Sequence, residues 1–193
     1  MNWERHLQSR ISDVWTSYLM LLFYFDMGIP DDEWSIEGEQ GGIRYFPHFE
    51  RRHHEIKAQF DFYTDVLYYK IFSVWDTVGQ LLFLIFSLPL RADEKPSFAL
   101  AVKRLKDHQL GLYNDLKSIT NHRESRMARK FTNNITHNFQ PNSLGSNARM
   151  PNENMMTFGG ASYTPSRAFK ENVVHTLDLF AKTLDFVKRQ IRR

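Results

Sequence analysis

From about Phe49 to Leu88, apolar side chains recur at spacings of three and four residues: Ile56, Phe60, Tyr63, Leu67, Ile71, Val74, Val78, Leu81 and Ile85. That period predicts one very long helix, ended by Pro89. After residue 66 apolar residues occupy every face of it. A helix that is apolar all round has to be surrounded by other elements, so it belongs in the middle of a bundle.

Covering helices are legible on both sides of it. Trp3, Leu7, Ile11, Val14, Tyr18, Leu21 and Phe25 form one amphipathic stripe. A third pattern starts after Pro96 with Ser97 as the N-cap. It runs through Phe98, Val102, Leu105, Leu112, Leu116 and Ile119 to Met127, Phe131 and Ile135, with Gly111 as its expected bend or break. The last helix starts with Thr164 as cap and Pro165 at the first helical position. It buries Phe169, Val173, Leu177, Phe180, Leu184 and Ile191. Strand signals are nearly absent. The fold class is therefore all-α, an up-and-down bundle of about four to five helices. Two aperiodic stretches, roughly 28–47 and the Asn-rich 138–165, read as long loops. Apolar anchors Met150, Met155, Met156, Phe158 and Tyr163 give the second one a means of ordering over a neighbouring site.

Composition removes several function classes. The chain has 193 residues and no cysteine, which excludes disulfides, thiolate metal sites and cysteine nucleophiles. It is long enough to bury a core as one domain over 1–193. The run Leu81–Leu90 is too short to span a bilayer, and Met1–His6 has no apolar stretch of a signal peptide. The sequence reads as a soluble cytoplasmic protein with no membrane partner. Its net charge of +3 permits a nucleic-acid partner without demanding one. Charge is unevenly placed: residues 31–39 are acidic, and residues 117–130 carry Lys117, Arg123, Arg126, Arg129 and Lys130 against Glu124 alone.

The segment Arg126 to Phe139 is the richest in chemistry. At 100° per residue, Arg126, Lys130 and His137 fall within about 20–40° of one another, with Asn133 and Asn134 on the same side. Cations hold phosphate oxygens, amides orient sugar or phosphate, and a His near its free pKa moves protons. Those are the parts of metal-free RNA cleavage. The same residues also describe a solvated basic face whose terminal His meets the helix dipole. From spacing alone, both readings stand.

The chain resembles the HEPN (higher eukaryote and prokaryote nucleotide-binding) superfamily. Its mark is an Arg followed a few residues later by His at the end of a late helix of an all-α bundle. Thr136-His137-Asn138-Phe139 matches the tail of that motif. Phe62 to Asp65 and Tyr69 to Asp76 resemble the long central helix of one prokaryotic branch. The motif Arg is replaced: its window holds Lys130, Phe131 and Thr132, and Arg129 is one residue too far out. Lys keeps the charge but lacks the bidentate fork. The resemblance implies a homodimeric, metal-independent endoribonuclease. In it His137, Lys130, Arg129 and Asn133 would be catalytic, and Arg126, Arg123 and Asn134 would bind RNA. It implies no cofactor. It also implies a bacterial toxin or phage-defence setting, with an antitoxin or other protein partner.

Two alternatives come from the residues. Without the motif Arg, the chain reads equally as a non-catalytic module that binds RNA, a nucleotide or a protein. Glu50-Arg51-Arg52-His53 has the Glu-x-x-His spacing of metal bundles, with Asn172 to His175 as its imperfect repeat and His53 or His54, His137 and His175 as a three-His set. Asp76 lies on the densely apolar helix and is expected to be buried, either holding Arg126, Arg129 or Lys130 or tethering a neighbouring helix. Gly79 is expected to admit a second backbone, and both residues would suit a dimer interface.

Overall fold

The computed structural model describes residues 3–38, 42–137, 142, 147–152, 155–159 and 163–191, and side chains within them except at 136, 137, 147–152, 155–159 and 191. Six helices carry the fold: α1 (Trp3–Asp26), α2 (Arg51–Ile85), α3 (Phe98–His108), α4 (Leu110–Asn121), α5 (Arg123–His137) and α6 (Ser166–Ile191). Short hairpins interrupt both predicted loops, β1 (Ser35–Glu37) with β2 (Ile43–Tyr45) and β3 (Asn147–Asn152) with β4 (Met155–Gly159). No helix among the described residues is long and apolar enough to cross a membrane.

The long helix α2 is the axis, packed by α1, α3, α5 and α6. Contacts give the directions. Arg10 meets Ser73 and Phe25 meets Phe60, so α1 runs antiparallel to α2. Tyr68 meets Asn172 and Trp75 meets Thr183, so α6 runs parallel to it. Glu124 meets Asn172 and Phe131 meets Phe169, so α5 is antiparallel to α6 and hence to α2. Phe60, Leu67, Tyr68, Ile71, Val74, Val78 and Leu82 of α2 are at most 1% exposed. Phe60, Leu67, Ile71, Val74 and Val78 belong to the stripe read from the sequence; Tyr68 and Leu82 lie beside it, and Ile85 of that stripe is exposed. The apolar ring is not closed everywhere, since Tyr69 and Leu84 remain 68% and 57% exposed. On α1 the predicted stripe faces the core, while Trp15, Leu19 and Phe23 turn to its outer side and, with Met27 just beyond the helix, stay more than half exposed.

The third periodic pattern is three helices, not one with a bend. The chain breaks at Gln109 (φ −145°, ψ 73°) and at His122 (ψ 143°). Gly111 lies inside α4 with open space around it. Apolar spacing persists across both breaks because α3, α4 and α5 all bury faces in the same core, which hides the corners from a periodicity argument.

Three end signals read from the sequence have physical counterparts. Ser97 caps α3, its hydroxyl accepting from the Leu100 N–H at 3.3 Å. The helix α2 stops at Ile85, four residues before Pro89. Gly79 admits a second backbone, but from the same chain: a Cβ there would lie 2.4 Å from the Phe98 nitrogen and 2.6 Å from the Ser97 carbonyl carbon. This close approach lets Asp76 Oδ1 accept the Phe98 N–H at 3.0 Å and cap α3. Asp76 is exposed, not buried, and with Gly79 it serves an intrachain junction. Gly79→Ala is expected to lower stability by about 1–3 kcal/mol, because backbone rather than a flexible side chain would have to move. Urea unfolding checks this, and a neutral result would mean that α3 is not seated where the structure has it.

The start of α6 departs from expectation by one residue. The helix begins at Ser166, after Pro165, and its cap comes from Asp31, far away in sequence. Asp31 is 1% exposed and its Oδ2 accepts from Tyr163 OH (2.5 Å), Ser166 N–H (3.0 Å) and Ser166 Oγ (2.7 Å). The neighbouring acids are paired as well, Asp32 with Arg167 at 2.6 Å and Glu33 with His48 at 2.7 Å.

Candidate functional site

The helix α5 is held as a platform. Its inner side buries Ser125, Ala128 and Phe131. Phe131 packs on Phe169 of α6 (ring centroids 4.6 Å) and on Tyr68 of α2 (5.8 Å). Its first turn is tied by a buried chain of hydrogen bonds. Tyr68 OH donates to Asn172 Oδ1 at 2.7 Å, and Asn172 Nδ2 donates to the Glu124 carbonyl (3.2 Å) and carboxylate (2.9 Å). Burial, and then the nearby Glu124 charge, push the Tyr68 phenol well above its ordinary pKa, so it stays a donor. Asn172 therefore serves packing, not a metal, and His175 is exposed.

The outer side carries the predicted residues. Arg126, Arg129, Lys130 and Asn133 are exposed, and Asn134 is half-buried. Arg123 is the first helical residue, also exposed, 3.9 Å from Glu124. His137 is the last residue of α5 by its backbone. Its side chain lies outside the described residues, as do residues 138–141 and the side chains of Met150, Met155, Met156 and Phe158.

Arg129 and Asn133 are brought together with Asp76 around a cavity of about 300 Å³, whose walls are Phe72, Trp75 and Phe98. The Arg129 guanidinium lies 5.4 Å from the centre of the Phe72 ring. Among the described residues it has no carboxylate partner, so Asp76 shares its cavity without pairing with it. Arg126 and Lys130 are exposed on the same helix but do not line that cavity. Along α5, Lys130 and His137 are two turns apart, about 10 Å in rise, whereas Asn133 is about 6 Å from His137.

The end of α5 lies beside the early turns of α2, where Ile135 lines a groove with Asp65 and Val66. That end also holds an ion pair between Lys57 (side chain 8% exposed) and Asp61, 2.5 Å apart. Burial raises the Asp61 carboxyl above its usual range although the Lys57 charge opposes this. Lys57 also donates to the carbonyl of Asn142 at 3.4 Å. The Glu50-x-x-His53 spacing is used for capping: the Glu50 N–H donates to His53 Nδ1 at 3.0 Å. Among the described residues no group of three or more His, Asp or Glu is gathered closely enough to hold a metal ion.

A family model, HEPN_Cthe2314-like HEPN, matches residues 3–191. The chain belongs to the HEPN superfamily. No curated protein and no solved structure matches it. The match extends through every helix of this HEPN protein, including the His-bearing α5 and the long α2. Sequence reasoning missed Asp31 and the lysines of α3. Asp31 gave no local signal because its partners Tyr163 and Ser166 lie 132 and 135 positions away. The spacing of Lys103 and Lys106, which places them on one side of a helix, was a signal available in the sequence.

Proposed function

We propose that this HEPN chain is a metal-independent endoribonuclease that works as a homodimer, with the whole chain as one HEPN domain. The observation that carries the reading is the outer side of α5, where Arg129 and Asn133 face an aromatic-walled cavity and Arg126 and Lys130 are exposed on the same helix. The family assignment supports a nucleotide- or RNA-related role.

In this reading His137 takes the proton from a ribose 2′-hydroxyl. The 2′-oxygen attacks the adjacent phosphorus, the bond to the 5′-oxygen breaks, and that oxygen receives a proton from an imidazolium. The products carry 2′,3′-cyclic phosphate and 5′-hydroxyl ends. Arg129, Lys130 and Arg126 stabilise charge on the phosphoryl oxygens. Asn133, one turn from His137, positions the scissile group, and Arg123 and Asn134 hold flanking RNA. The two-turn gap between Lys130 and His137 favours a dimer, in which a second α5 supplies charge near each His. A bacterial, cytoplasmic toxin or defence role with an antitoxin partner goes with this reading.

The second reading is a non-catalytic RNA-, nucleotide- or protein-binding module. Lys130 in the motif-Arg window favours it, because a lysine cannot clamp a phosphate through two parallel bonds. Incubating the purified protein with several RNAs in EDTA and mapping the product ends separates the two. Cyclic phosphate ends are expected. RNA left intact at every concentration, with RNA still bound, would move the chain to the second reading.

A further inference from the structure

A groove of about 400 Å³ between α3 and α4 is lined by Lys103, Lys106 and Lys117, with Tyr113 and Val102 among its other lining residues and Arg129 shared with the cavity beside Asp76. All four cations are exposed. No carboxylate lines this groove, and among the described residues none of the four is in an ion pair. Elsewhere on the molecule cations are commonly neutralised: Lys57 by Asp61, Lys70 by Asp13, Arg104 by Glu94 and Arg167 by Asp32. Asp107 and Asp115, on these same two helices, do not line it. Four unneutralised charges on a chain of net charge +3 make a strong local concentration of positive potential.

The groove and the cavity meet at Arg129, and their linings differ in kind. The groove offers ammonium groups spread over two helices, and the cavity offers the guanidinium of Arg129 and the amide of Asn133 against the buried rings of Trp75 and Phe98. Charges spread along a groove are what the phosphates of a single strand follow, and half-buried Tyr113 in the groove lining gives a base a ring to meet. A polar small molecule would not need charges so widely spread.

We propose that the α3–α4 groove binds the phosphodiester backbone of a single strand and delivers it to the α5 cavity, with Lys103, Lys106 and Lys117 as the contacts. The proposal rests on the nucleic-acid reading above but not on catalysis. The test uses the full chain and a fluorescent 2′-O-methyl oligouridine of about ten nucleotides. That probe lacks the 2′-hydroxyl nucleophile and cannot be cut, so failure of the nuclease reading leaves the measurement intact.

Anisotropy titrations over a salt series are expected to show weaker binding for each of Lys103→Ala, Lys106→Ala and Lys117→Ala. Each should reduce the slope of log affinity against log salt by about 0.7, and the triple variant should bind roughly 10²-fold more weakly near 0.1 M salt. A control triple at the exposed Lys95, Lys182 and Lys188 should lose much less. Equal losses in both triples would reduce the effect to diffuse charge and overturn the proposal, as would no binding by the wild type. Displacement of the probe by uridine monophosphate at equal phosphate concentration would also overturn it, in favour of a single-phosphate site. Melting temperatures of the variants should match the wild type, because exposed lysines without partners support little of the fold.

Discussion

His137→Ala is expected to slow RNA cleavage by about 10²–10⁴-fold, the range for losing a positioned general acid or base. The fold should be untouched, since His137 ends α5 while the residues that seat the helix, Phe131, Ala128 and Glu124, lie about two to four turns earlier. Circular dichroism, melting temperature and affinity for the uncleavable probe should therefore match the wild type. A companion pair at Lys130 separates charge from geometry. Lys130→Ala should lose phosphate stabilisation, and Lys130→Arg, which supplies a bidentate fork, should retain or raise the rate. Equal cleavage by wild type and His137→Ala would mean that the activity belongs to a contaminant or to another residue, and the proposed mechanism would fall. Mass measurement of the protein in solution completes the test, because the shared-cleft reading requires two copies.

Asp31→Ala should produce the largest loss of stability, about 3–5 kcal/mol, or roughly 6–20 °C in melting temperature. Removing the carboxylate leaves Tyr163 OH, Ser166 N–H and Ser166 Oγ without their acceptor in a site where both residues are at least 92% buried. It also takes a negative charge from the positive end of α6. Burial, the hydrogen bond to Asp31 and nearby negative charge all push the Tyr163 phenol well above its ordinary pKa, so the hydroxyl remains a donor that needs an acceptor. Asp31→Asn keeps one carbonyl oxygen and should cost less. The consequence reaches the candidate site, because α6 carries the Phe169 against which Phe131 seats α5. Urea unfolding followed by tryptophan emission would report it directly, since the Trp34 ring packs on Tyr163 at a tilt (ring centroids 5.6 Å). A change within about 0.5 kcal/mol would show that the carboxylate does not hold α6.

Much of the fold was readable from local pattern. The long central helix, the Ser97 cap and the burial of Phe60, Leu67, Ile71, Val74 and Val78 follow from a period that each helix carries on its own. The exposure of Arg126, Lys130 and Asn133 on one side of α5 follows in the same way, since Phe131 and Ala128 face inward. The acidic stretch at 31–39 was legible only as charge. Its first three acids turn out to be a buried cap (Asp31), an ion pair with Arg167 (Asp32) and a hydrogen-bond partner of His48 (Glu33), each joined to a residue outside the stretch.

Periodicity and residue type by themselves determined an all-α bundle, the helix that lies at its centre, and the cationic, amide-rich helix that ends in His137. Only the tertiary structure decided that Asp76 caps α3 through the close approach at Gly79. It alone decided that Asp31 caps α6, and that Lys103 and Lys106 of α3 face Lys117 of α4 across a groove shared with Arg129. The division has a physical cause. A helix's apolar face is set by neighbours three and four residues away, whereas the partner of a carboxylate or the opposite wall of a groove depends on how separate helices pack.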